Sequence, residues 1–142
     1  MQLGFISGSL GGFVAMLAMT AAMKVLSDHP VPPTADLWSK YIGDEPPEEC
    51  IRKGMMLHLL YGTAAGALFA TALPSLGYTE LGALALVGYS ILYGLVLELT
   101  GSVVWVKAVM GMESDRSQIV NFTAFHLVYG LVLGLWLALV PL

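Results

Sequence analysis

The chain has 142 residues, 57% of them hydrophobic and 11% charged, with a net charge of −4 and one cysteine. A soluble domain carries about 25% charged residues, so this composition points to one small integral membrane domain. A lone cysteine excludes an intrachain disulfide, and six scattered basic residues without an aromatic-basic patch exclude a nucleic-acid surface.

A bilayer-spanning helix needs about 20 apolar residues. Four segments meet that length: about 3–26, 54–73, 81–106 and 119–141. The expected fold is therefore an all-α four-helix membrane bundle. The first span is read as a retained helix, because its leading Met-Gln lacks Lys and Arg and its apolar run is too long for a signal peptide.

Between the first two spans lies the one sizeable loop, 27–53. Its SDHPVPP stretch holds His29, read as solvated. Thr34 is a candidate N-cap for a short helix ending near Gly43, with Leu37, Trp38 and Tyr41 on one face. That face can rest on the membrane interface or on the bundle. Pro46 or Pro47, followed by Glu48 and Glu49, reads as the start of the second helix. Cys50 lies in this charged stretch and is read as a bystander.

Lys24, Lys40, Arg52 and Lys53 flank or lie in the first loop, and Lys107 and Arg116 flank the third. The positive-inside rule makes loops 27–53 and 107–118 cytoplasmic and puts both termini outside.

Within the spans a motif recurs. HLLYGTAAG starts at His58, HLVYGLVLG at His126, and SILYGLVLE at Ser90. Residues four apart share a helix face. In lipid, helices associate through close backbone packing and interhelical hydrogen bonds rather than by hiding apolar surface. Gly4, Gly8 and Gly12 on the first span, Gly62 and Gly66 on the second, Gly94 on the third, and Gly130 and Gly134 on the fourth are therefore expected packing positions.

Packing explains the glycines better than the ionisable residues. His58 falls roughly 6 Å inside the membrane edge, and His126 and Glu98 roughly 10 Å inside. With Tyr61, Tyr93 and Tyr129 they form a predicted polar layer. Three readings are open for it. The residues can be mutually satisfied packing groups. They can form a proton- or ion-linked pathway. Or His58 and His126 can ligate a haem, with the glycines one turn away admitting the macrocycle, or join a carboxylate around a metal.

The remaining aromatic and sulfur residues have simpler readings. Trp105 and Trp136 fit interfacial or lipid-facing positions, and Met55, Met56, Met110 and Met112 fit gap-filling. GSLGG at Gly8–Gly12 lacks the Lys-Ser/Thr of a phosphate loop, and neither Gly-x-Ser-x-Gly nor HExxH occurs. The expected role is non-enzymatic.

The glycine-rich GGFVAMLAMTAAM, the Pro-containing loop and the His-x-x-Tyr-Gly-x-x-x-Gly helices resemble the small four-helix membrane proteins grouped as YagU-like, bacterial and haloarchaeal. The resemblance implies an integral plasma-membrane protein with no assigned chemistry. The residues then suggest a protein that packs with itself as a homo-oligomer or with other membrane subunits. A small proton- or ion-linked transporter using Glu98, His58 and His126 is the alternative, and a haem- or pigment-binding subunit a further one.

Overall fold

A computed structural model describes residues 3–26 and 32–140. His29 and the rest of 27–31 lie outside the described residues. The architecture is all-α, and four helices are long and apolar enough to cross a membrane. In order they are α1 (Phe5–Leu26), the short α2 (Pro33–Tyr41), α3 (Ile51–Ser75), α4 (Ala83–Thr100) and α5 (Arg116–Leu139). A π-helical stretch, Gly101–Val109, continues α4 without a break.

The four long helices associate in the spatial order α3, α1, α5, α4. Glycine sets this order. A Cβ on Gly8 would lie 2.5 Å from the Gly66 carbonyl oxygen, and one on Gly12 would lie 2.5 Å from the Gly62 carbonyl oxygen. The backbones of α1 and α3 thus touch where no side chain fits. The α4–α5 contact is built the same way, with Gly130 against the Ser90 carbonyl, Gly134 against Val87, and Gly94 against the His126 carbonyl. Such contacts supply the close packing that apolar burial cannot provide in lipid.

Gly4 departs from the expected packing role: it precedes the first helical residue, and no atom lies near where its Cβ would be. Its carbonyl instead accepts from the Gly8 N–H and the Ser7 hydroxyl, opening α1. Gly11, not anticipated, admits Trp136 and Leu133 of α5. Trp136 is therefore packed between helices rather than simply lipid-facing.

The segment boundaries also move. Thr34 occupies the second helical position of α2, because Pro33 at the first already has a helix-compatible φ and needs no N–H partner. The Thr34 hydroxyl does no capping and is buried without a hydrogen-bond partner. Pro46 to Cys50 form turns, closed by Glu49 N–H to Pro46 O and Cys50 N–H to Pro47 O, before α3 begins at Ile51. At its far end α3 continues through Pro74 to Ser75, since a proline loses its N–H without halting a helix already in its last turn. α5 begins at Arg116 because Asp115 and Gln118 form a reciprocal capping box.

Candidate functional site

Most hydroxyls on the spanning helices are satisfied locally. Thr63, Thr71, Ser90, Thr100 and Thr123 each donate to the carbonyl four residues earlier. Two tyrosines of the repeated motif act at longer range. Tyr129 donates to the Gly62 carbonyl at 2.6 Å, and Tyr93 donates to the Ala65 carbonyl at 2.9 Å. Tyr93 also stacks on Phe69, with ring centroids 4.8 Å apart. These two tyrosines tie α5 and α4 to α3 across a region where the backbones do not close.

Below that tie the bundle opens. A cavity of about 360 Å³ lies between α1, α3, the α4–π segment and α5, at the end carrying α2. Tyr129 and Met16 form its floor, and Pro33, Thr34 and Leu37 of α2 form its roof. His58, Glu98, His126 and Tyr61 all line it. Tyr93, the remaining member of the expected layer, lies outside the lining and serves the helix tie.

The geometry of each polar group is distinct. The His126 Nδ1 lies 2.8 Å from the Phe122 carbonyl, so this nitrogen carries a proton and donates to it, and in the neutral ring Nε2 is the acceptor. The His58 Nε2 is buried without a hydrogen-bond partner. Glu98 accepts from the Ser102 hydroxyl at 2.9 Å. His58, His126 and Glu98 line the same cavity. Among the described residues, no three His, Cys, Asp or Glu side chains are grouped to hold a metal ion. The glycines beside the two histidines offer no room for a macrocycle: Met16 fills the space at Gly62, and the α4 backbone at Ser90 and Ile91 fills that at Gly130.

The cavity has a side opening. α3 and α4 face each other across it with little direct backbone contact. On its two lips Leu60 is 66% exposed and Trp105 is 41% exposed, which directs the opening toward lipid rather than into the bundle. The π-helical stretch contributes Gly101, Ser102, Trp105 and Val106. Its wider turn, seen in the Met110 N–H to Trp105 carbonyl bond at 2.9 Å, is a feature that recurs at functional sites.

α2 is fastened over the roof. Its Ala35 backbone packs on Gly54, where a Cβ would lie 2.5 Å from the Ala35 nitrogen. Lys40 donates to the Met110 carbonyl at 2.7 Å and Tyr41 to the Val109 carbonyl at 2.6 Å. Leu37 therefore turns to the bundle while Tyr41 reaches the end of the π segment. Nearby, Lys53 pairs with Glu45, whose carboxyl is held below its ordinary range by that hydrogen bond. Cys50 is buried against Glu45, and burial pushes its thiol up.

Sequence reasoning grouped His58, Glu98, His126 and Tyr61, which line the cavity, but it did not anticipate Thr34 or the walls. Met16, Met19 and Met23 of α1 all line the cavity. Their spacing in AMLAMTAAM was the available signal, because flexible methionines suit an adaptable binding surface. Comparison with family models, curated proteins and solved structures finds no match to this chain.

Proposed function

We propose that this is a non-enzymatic plasma-membrane protein, an accessory subunit acting as a homo-oligomer or with other membrane subunits, that holds a small lipid-soluble molecule within its bundle. The observation that carries the reading is the 360 Å³ cavity, apolar-walled and open between α3 and α4, with two buried and unpartnered polar atoms among its lining residues, His58 Nε2 and Thr34 Oγ1. A concave apolar pocket with a few converging polar groups is the usual form of a small-molecule site. Unsatisfied buried polar atoms are costly; both are closed off from solvent, so a ligand group satisfies them only when their side chains turn toward it.

The test uses the neutral fluorophore 1-aminoanthracene and the purified chain in detergent. The expected result is saturable binding in wild type and its loss in Gly101→Phe. Gly101 lines the cavity, and a Cβ there meets no atom within 4 Å, so a phenylalanine ring is expected to take up the ligand's space. Binding that is equal in the two proteins rejects the cavity as the site.

The gathering of His58, His126 and Glu98 on one cavity favours one second reading, proton-linked transport. A pH-gradient-driven flux in proteoliposomes that vanishes in Glu98→Gln supports it, and a flux equal to empty vesicles rejects it. The resemblance to YagU-like proteins is compatible with either reading. The cytoplasmic assignment of the α2 end is tested by single cysteines at two exposed positions, Glu80 and Glu113, on opposite ends. In intact cells an impermeant thiol reagent is expected to label Glu80→Cys and spare Glu113→Cys.

A further inference from the structure

Glu98 stands apart from the other groups on the cavity wall. No lysine, arginine or second carboxylate lines the space with it. Among the described residues it makes no ion pair, and its hydrogen-bond partner is the neutral Ser102 hydroxyl. A carboxylate at membrane depth normally has a counter-charge or a functional role. The rings of Tyr61, Trp105, Phe122, Phe125 and Tyr129 line the same cavity. Aromatic faces attract cations, more strongly where water is excluded. In the neutral His126 ring, whose Nδ1 donates to Phe122, Nε2 is an acceptor. An anionic head group would meet repulsion from Glu98 and find no fixed cation. A strongly polar neutral molecule would find mostly hydrocarbon.

We infer that the cavity takes a lipophilic cation, an ammonium or similar onium group on an apolar body, with Glu98 as its counter-ion and the aromatic side chains as its walls. This inference rests on the ligand-binding reading above and adds the sign of the ligand's charge. The side opening between Leu60 and Trp105 suits such a molecule, which partitions into the bilayer with its charge near the interface and its body among the acyl chains.

The test compares benzyltrimethylammonium with its uncharged carbon isostere, neopentylbenzene, as competitors for bound 1-aminoanthracene on the full chain. Both have the same shape, so their ratio reports charge. Glu98→Gln preserves side-chain volume and an acceptor for Ser102. The expected result is that the cation's potency relative to the isostere falls about tenfold in Glu98→Gln, while both compounds still displace the fluorophore. An unchanged ratio overturns the cation and leaves the cavity reading standing. Failure of 1-aminoanthracene to bind wild-type protein, or equal binding to Gly101→Phe, overturns the cavity reading and this inference together.

Discussion

The two halves of the bundle are built from one repeated phrase and differ in what it does. Toward the end bearing the 76–82 turn, the glycines of α1 and α3 and of α4 and α5 bring backbones into contact. Toward the α2 end, one turn further along α3 and α5, His58 and His126 stand on the wall of a cavity. Tyr129 marks the border, its ring on the cavity floor and its hydroxyl on the Gly62 carbonyl. Small residues close helices onto one another, and the histidine before them in the same motif lines the cavity, although at His126 the α5 backbone still meets Gly94 of α4. Close packing and the cavity wall are thus neighbouring consequences of one spacing.

The sharpest way to break this comparison is to fill the sealed half. Gly12→Leu and Gly130→Leu each drive a side chain into a backbone carbonyl, that of Gly62 or Ser90. Overpacking of this kind is expected to cost about 3 kcal/mol, read as a shifted unfolding midpoint in a denaturing-detergent titration. If both leucines are tolerated, the glycines do not seal the bundle. Next in size is Tyr129→Phe. It removes the border hydrogen bond and leaves the Gly62 carbonyl without its tyrosine donor, for about 1 kcal/mol in the same titration.

The open half is expected to respond differently. Gly101→Phe adds bulk where a Cβ meets no atom within 4 Å and is expected to stay within about 0.5 kcal/mol of wild type, as is Gly4→Leu at the opposite end, where the ladder of α1 has run out. A large loss for Gly101→Phe would mean that the cavity is closed in the membrane. The smallest effect belongs to the loop beneath α2. Glu45 has a carboxyl value lowered by Lys53, so their link is intact above the ordinary 4.5 and is lost as pH falls through the lowered value. Glu45→Gln breaks the charge pair at neutral pH and is expected to speed maleimide labelling of the buried Cys50, because the neighbouring negative charge that disfavours its thiolate is gone. No change in labelling would detach Cys50 from this pair.

Helix number and the polar residues at membrane depth were legible because both follow from local composition and a four-residue spacing. The order of helices in space was not. Nothing in the spacing distinguishes the α1–α3 contact from an α3–α4 contact, and that choice alone decides whether the bundle is closed or laterally open. Gly4 continued the sequence ladder, yet it stands before the helix and a Cβ there would meet no atom within 4 Å, because the ladder does not show where the helix begins. Gly11 lay one residue off the same ladder and turned out to receive Trp136, since α1 has neighbours on two faces. The π-helical turn from Gly101 had no signal beyond a glycine and an apolar run, and the docking of α2 depends on backbone carbonyls at Val109 and Met110 far away in sequence.

The most direct measurement of the central claim is the ring ¹⁵N NMR spectrum of the histidines in lipid nanodiscs, with and without 1-aminoanthracene. The account expects a free-state His126 protonated at Nδ1, and it expects the His58 and His126 ring signals to shift together on saturation, with no shift in Gly101→Phe. Saturable binding that leaves both rings unchanged would place the ligand elsewhere and contradict the account.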